Sequence, residues 1–244
     1  MTSLRDVSPI LVLAPIPRCG STLVQRVLNT HPEVTIWGEQ GGALTHALHM
    51  MQRYEFQLNV GGDRQRETWL GNGRPDQWMS SMNPATSTLI AGFRDLFLGI
   101  YARYAQHTMT WGFKEIRYGR EEIEFWHILF PMTKYVMIVR DPVEAILSHR
   151  RTPWEQDQNF VAAGWERPSI QQLARDWSDR VTFFKIWAAQ DPAHRFLVPY
   201  EEINRIQPVR ILRLFRELGL DMRPEKVHAV QSLDLGGGRD LKRS

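Results

Sequence analysis

A single cysteine, Cys19, stands among 244 residues, so no intrachain disulfide is possible and a reducing compartment is expected. Long apolar runs are lacking as well: residues 10–14 and 135–139 fall far short of the ~18 a membrane-spanning helix needs. At the start, Arg5 and Asp6 precede a short apolar run that turns at Pro15, which is not the pattern of a cleaved secretion signal. A cytoplasmic protein without a membrane span is therefore expected. Charge of one sign is scarce too. Thirty Lys and Arg are interleaved with 27 Asp and Glu, a net +3, without the dense basic stripe of a nucleic-acid binder. The small excess, with the cluster Arg239, Lys242 and Arg243, favours an anionic ligand over a cationic one. The eight histidines form no H-E-x-x-H pattern and no Cys/His cluster, so no metal site is expected. No internal repeat or low-complexity tract is present, and 43% hydrophobic with 23% charged residues excludes a disordered chain. Residues 1–244 read as one domain.

What the chain does contain is an alternation of short apolar runs with amphipathic segments, the pattern of βαβ units and a parallel sheet. Strands are expected over residues 10–14, 34–36, 111–116, 135–139 and 196–198. A helix carrying Leu23, Val24, Val27 and Leu28 follows the first and stops before His31-Pro32. Leu89, Ile90, Phe93, Leu96, Phe97, Ile100, Tyr101 and Tyr104 keep one helical face. Ser169 with Gln172 forms a capping-box pattern before another helix, and Pro208 to Gly219 brackets a third. Residues 61–83, with glycines, polar residues and no sustained period, read as a surface loop.

The first strand runs into Pro15-Ile16-Pro17-Arg18-Cys19-Gly20-Ser21-Thr22 and then a helix, the setting in which backbone N–H groups cradle a phosphate. Against G-x-x-x-x-G-K-[ST], Gly20 and Thr22 match, whereas Ser21 replaces the lysine and Pro15 the first glycine. The same segment also reads as a plain strand-to-helix turn capped by Ser21 or Thr22. A thiol beside Arg18 and just before a helix N-terminus is expected to have a depressed pKa and to react readily, so alkylation of Cys19 should compete with ligand binding.

Pro17-Arg18-Cys19-Gly20-Ser21-Thr22 resembles the P-[RK]-[ST]-G-[ST]-[ST] loop of the sulfotransferases that use 3′-phosphoadenosine 5′-phosphosulfate (PAPS), departing only at Cys19. Val139-Arg140-Asp141-Pro142 at the end of an apolar strand, with Ser148 eight residues after Arg140, is similar to that family's 3′-phosphate site. Asp141 as N-cap with Pro142 as first helical residue would equally make a helix start that needs no ligand. Val198-Pro199-Tyr200-Glu201-Glu202 is similar to a V-x-Y-E-[DE] segment whose tyrosine lies near the adenine. The resemblance implies an α/β fold with a P-loop-type parallel sheet flanked by helices. A helical region over about 42–107 would cover the substrate.

Sulfuryl transfer needs an acceptor relieved of its proton and a stabilised leaving phosphate. In one branch of the family a Lys-x-His supplies the base, but in Gly112-Phe113-Lys114-Glu115-Ile116 the histidine position is Ile116. Trp37-Gly38-Glu39-Gln40-Gly41 instead resembles the G-E segment of the glutamate-base branch, which includes tyrosylprotein and bacterial sulfotransferases. The resemblance therefore implies Glu39 as base, with Lys114 and Arg18 stabilising charge on the leaving oxygen. Pro17, Arg18, Cys19, Gly20, Ser21, Thr22, Arg140, Ser148 and Tyr200 would hold PAPS and its product adenosine 3′,5′-bisphosphate, without metal. Glu115, next to Lys114 on a strand, is expected to face away, and His149 to be a partly exposed helical residue. The acceptor is expected to be a small molecule, hydrophobic or carbohydrate-like, that offers a hydroxyl before an amine. Its pocket would be walled by residues 44–58, 89–104 and 152–168, while the tail from Gly236 closes over the 3′-phosphate. Two rival readings are a P-loop kinase with Asp141 on Mg²⁺ and a non-catalytic nucleotide-binding protein whose nine tryptophans form a partner surface.

Overall fold

A computed structural model of the chain describes residues 8–61, 63–73, 84–102, 110–152, 167–204 and 207–222. Five strands, β1 (Ile10–Leu13), β2 (Val34–Trp37), β3 (Thr110–Glu115), β4 (Lys134–Val139) and β5 (Arg195–Pro199), form one sheet in the order β2-β3-β1-β4-β5. Every neighbouring pair is parallel. β1 is wholly buried at the centre, which is why it reads as an unbroken apolar run, whereas the edge strand β2 alternates and β5, at the other edge, is partly exposed.

The helices are α1 (Ser21–Leu28), α2 (Ala43–Gly61), α3 (Asp63–Gly71), α4 (Thr86–Phe97), α5 (Arg120–Leu129), α6 (Pro142–Arg150), α7 (Ile170–Gln190), α8 (Tyr200–Ile203) and α9 (Pro208–Glu217). Their stops and starts follow local chemistry. The Asp141 carboxylate accepts the Glu144 N–H and caps α6, and Ser169 Oγ accepts the Gln172 N–H and caps α7, both at 3.0 Å. Pro208 opens α9, and Gly219, at φ 65°, follows its end.

Strand alternation splits the core between the two faces of the sheet. Leu11, Leu13, Tyr135 and Met137 join Trp111, Phe113, Trp126 and Phe184 on the face covered by α2, α4, α5 and α7. Ile10, Val12, Val136 and Ile138 meet Val24, Val27, Leu28 and Phe215 from α1 and α9 on the other. Trp111, Trp126 and Trp187 are buried and Trp37 and Trp177 partly buried, so these tryptophans serve the interior.

Two expectations need correction. Gly61 and residues 63–71 are helical, not a loop: α2 runs to Gly61 and α3 covers Asp63–Gly71. The segment Asp-Arg-Gln-Arg-Glu-Thr-Trp-Leu is rich in good helix formers but carries no apolar stripe, so a search for period missed it. Residues 74–83 lie outside the described residues. The helix expected to run unbroken to Tyr104 changes to a π turn over Leu98–Ala102. There the Tyr101 ring lies parallel to that of Trp111, and its carbonyl accepts the Trp37 indole N–H at 3.2 Å. Tyr104 is outside the described residues.

Candidate active site

Most of the sequence-marked residues lie at or just past the carboxyl ends of strands: the 14–20 loop after β1, Glu39 after β2, Lys114 in the last two residues of β3, Arg140 after β4 and Tyr200 after β5, with Ser21 and Thr22 opening α1 and Ser148 within α6. The chain leaves β1 toward one edge of the sheet and proceeds from β4 toward the other. The crevice between those strand ends is where open parallel sheets bind ligands.

The loop after β1 carries two residues in the left-handed region, Arg18 at φ 69° and Gly20 at φ 95°. Gly20 is the N-cap of α1, no side chain caps the helix, and no acid lies in its first turn. Neither Ser21 nor Thr22 therefore acts as the cap. A Cβ at Gly20 would sit 2.4 Å from the Tyr200 ring, so glycine lets the ring close over the loop. The Arg140 guanidinium lies over the Tyr200 ring at 4.5 Å and donates to the Arg18 carbonyl at 3.0 Å. Arg18 Nε in turn donates to Ser148 Oγ at 3.2 Å. Arg18, Gly20, Arg140, Ser148 and Tyr200 thus form one cluster. With a positive helix end and two guanidinium groups, it fits a phosphate-bearing ligand.

Cys19 corrects another expectation. It is 0% exposed among Ala14, Ile16, Ile116, Ala145, Ile146 and Leu173, and burial pushes its thiol up to about 11. Its side chain supports the loop from below and is not the low-pKa thiol inferred from its neighbours. His149, expected on the surface, is also buried, because α6 turns this side inward together with Ala145 and Ile146. Asp141 is occupied as the cap of α6.

At the ends of β2 and β3 stands a chain of charges. Lys114 Nζ donates to Glu39 Oε1 at 2.5 Å, Arg117 Nη1 to Glu39 Oε2 at 2.9 Å, and the same Nη1 to Glu115 Oε1 at 2.7 Å. Burial alone would raise the Glu39 pKa. The hydrogen bond and charge of Lys114, followed by those of Arg117, outweigh it and hold the carboxyl below its ordinary value. Glu115 ends β3, in register with Leu13 of β1, yet Arg117, just past the strand, reaches both its carboxylate and that of Glu39. Beside this chain the Tyr118 hydroxyl donates to Gln40 Oε1 at 2.8 Å and accepts the Leu44 N–H at 3.1 Å, which ties α2 to the Glu39 segment.

Sequence reasoning missed Arg117, Tyr118 and two residues of α7. Arg180 Nη1 donates to the Pro15 carbonyl at 2.6 Å, and the Trp177 indole N–H donates to the Arg140 carbonyl at 3.0 Å. Spaced three apart, the two lie on one helical face and hold the ends of β1 and β4. Glu115-Ile116-Arg117, an acid and a base flanking an apolar residue at a strand end, was the readable signal for Arg117; α7 offered none. Residues 153–166 and the tail 236–244 lie outside the described residues. Among the described residues no group of three or more His, Cys, Asp or Glu side chains could hold a metal ion, and no helix is long and apolar enough to cross a membrane.

The fold is a single parallel five-stranded sheet flanked by helices, with clusters of charged side chains at the carboxyl ends of its strands. The chain belongs to the Sulfotransferase family, whose model matches residues 9–224. It is similar to protein-tyrosine sulfotransferase 2 of Gallus gallus, 20% identical over an alignment of 239 residues that covers 96% of this chain and 57% of the relative. It is similar to protein-tyrosine sulfotransferase 1 of Danio rerio to the same 20%, over 96% of this chain and 60% of the relative. The chain spans less than two thirds of the length of these curated relatives. In fold it resembles the sulfotransferase domain of the Synechococcus PCC 7002 olefin synthase, with a TM-score of 0.57, 21% identity, and 94% of this chain and 79% of that one covered. The sulfotransferase domain of the curacin biosynthetic pathway gives 0.57, 19%, 93% and 79%.

Proposed function

We propose that this protein transfers the sulfuryl group of PAPS to a hydroxyl, in preference to an amine, of a small-molecule acceptor, with Glu39 as general base. The observation that carries the reading is the Glu39–Lys114 pair at the carboxyl ends of β2 and β3, at the same end of the parallel sheet as the Arg18–Arg140 cluster. The donor supplies an activated sulfuryl group on a phosphate leaving group. Residues 17–22 hold its 5′ end through backbone N–H groups and hydroxyls, and Arg140 with Ser148 hold the 3′-phosphate. Tyr200, pressed between Gly20 and Arg140, keeps the two anion sites in register.

Glu39 takes the acceptor proton on a carboxylate that its two cations keep ionised. Lys114 pairs with Glu39 in the resting protein and, with Arg18, stabilises charge gathering on the leaving oxygen. Residues 42–107 form the acceptor side of the single domain, and exposed Met50, Tyr54, Leu96 and Ile100 support a hydrophobic acceptor. The relatives named for protein tyrosine make a phenolic hydroxyl the first acceptor chemistry to try. A chain with one cysteine suits a reducing, cytoplasmic setting.

Calorimetric titration with adenosine 3′,5′-bisphosphate, against ATP with Mg²⁺ at fixed salt, tests the reading. Tight binding of the bisphosphate that is insensitive to chelator is expected. Preference for ATP with Mg²⁺ would overturn it in favour of a kinase.

A further inference from the structure

Glu115 is 0% exposed, although it carries a carboxylate at the end of β3. Such a charge is tolerated in the interior only when donors replace the lost water. Here Oε2 accepts the Gln40 N–H at 3.1 Å, while Oε1 accepts the Ile116 N–H at 2.8 Å and Arg117 Nη1 at 2.7 Å. Two of these three donors lead to Glu39: Gln40 is its chain neighbour, and Arg117 Nη1 also reaches Glu39 Oε2.

We propose that Glu115 is a positioning residue for Glu39, pinning Arg117 against the Glu39 carboxylate and anchoring the backbone that carries it. The inference rests on the reading of Glu39 as the base, since only then does its placement bear on turnover. The Arg117 side chain is 42% exposed and that of Glu39 29%. An ion pair between two such side chains is loose in water, because each keeps its rotamer freedom and solvent screens the attraction. Glu115 removes that freedom, since Arg117 cannot swing away without leaving a buried carboxylate short of a donor. Lys114 and Arg117 face Glu39 directly. Arg180 of α7 feels the charges of Glu115 and Arg117 as well as those of Asp176 and Glu122, and the Tyr118 phenol faces Gln40. The four-membered chain Lys114, Glu39, Arg117, Glu115 balances two cations with two anions.

A ¹³C NMR titration of the whole protein, labelled at the glutamate carboxyl carbons and free of donor and acceptor, tests this. The Glu39 signal is assigned by its loss in Glu39→Gln. Glu115→Gln is expected to move the Glu39 midpoint to higher pH, because Arg117 is released. Arg117→Met should move it the same way, and the double variant no further than Arg117→Met alone. An unchanged or lower midpoint in Glu115→Gln would make Glu115 a rival for Arg117 and overturn the proposal. So would an effect of Glu115→Gln that persists in full beside Arg117→Met. Should Glu115→Gln fail to fold, Glu115→Asp, one methylene too short to span both Gln40 and Arg117, carries the same expectation and the same refutation. The titration is independent of catalysis: full turnover in Glu39→Gln would end the base assignment and leave the pinning measurable.

Discussion

The two halves of the crevice are built on different physical terms. Around β1, β4 and β5 the candidate site combines backbone, a left-handed Gly20 and an uncapped helix end, with the Arg18 and Arg140 guanidinium groups. At the ends of β2 and β3 it is four charged side chains locked to one another. The first half concentrates positive charge, with Glu144, 3.6 Å from Arg140, as an exposed partner. The second is neutral overall. An excess of donors suits capture of an anion, whereas a compensated chain suits a carboxylate that must stay ionised and in place.

The largest expected effect breaks the second half alone. Glu39→Gln should lower turnover by roughly 10²–10⁴-fold while leaving bisphosphate affinity close to that of the parent; steady-state rates beside calorimetry check it. Next, Arg140→Ala removes a charged donor from the first half. Bisphosphate affinity should fall by roughly 10–100-fold, as hydrogen bonds to charged groups imply, with the Glu39 titration unmoved. If Arg140→Ala shifts that titration, the halves are not separable in the way drawn above.

A smaller effect is expected from Gly20→Ala, which places a Cβ 2.4 Å from the Tyr200 ring at φ 95°. Left-handed strain alone should destabilise by about 1–2 kcal/mol, read in thermal unfolding, with weaker bisphosphate binding as the ring is displaced. The smallest is a pH dependence. The folded-state pKa of Glu39 is depressed, so its contribution to stability is fully present above its ordinary value of 4.5 and is lost as pH falls through the depressed value. Denaturant unfolding of the parent and Glu39→Gln across that range should show their difference vanish in acid. A difference that persists there would mean Glu39 is not held by Lys114 and Arg117.

The contrast between the halves also explains what was legible beforehand. The 17–22 loop, Arg140, Ser148 and the caps at Asp141 and Ser169 are local patterns, and the structure brings the loop, Arg140 and Ser148 into one cluster. Strand alternation, applied to Glu115, left out Arg117, which joins its carboxylate to that of Glu39 from the turn after β3. For Cys19, charge in the neighbouring sequence suggested a reactive thiol, but a desolvating pocket assembled from residues just past β1 and β3 and from α6 and α7 prevailed. Arg180 and Trp177 carried no local mark, since their partners lie 165 and 37 residues away.

By itself the sequence determined the parallel α/β sheet and the glycine-bearing turn from β1 into α1, because apolar period, glycine geometry and capping act within a few residues of chain. Only the tertiary structure decided which charges meet: Glu39 with Lys114, 75 residues apart, and Arg117 held between two carboxylates. Coulomb attraction and desolvation depend on distance and burial, and both are set by how β2, β3 and α7 pack together.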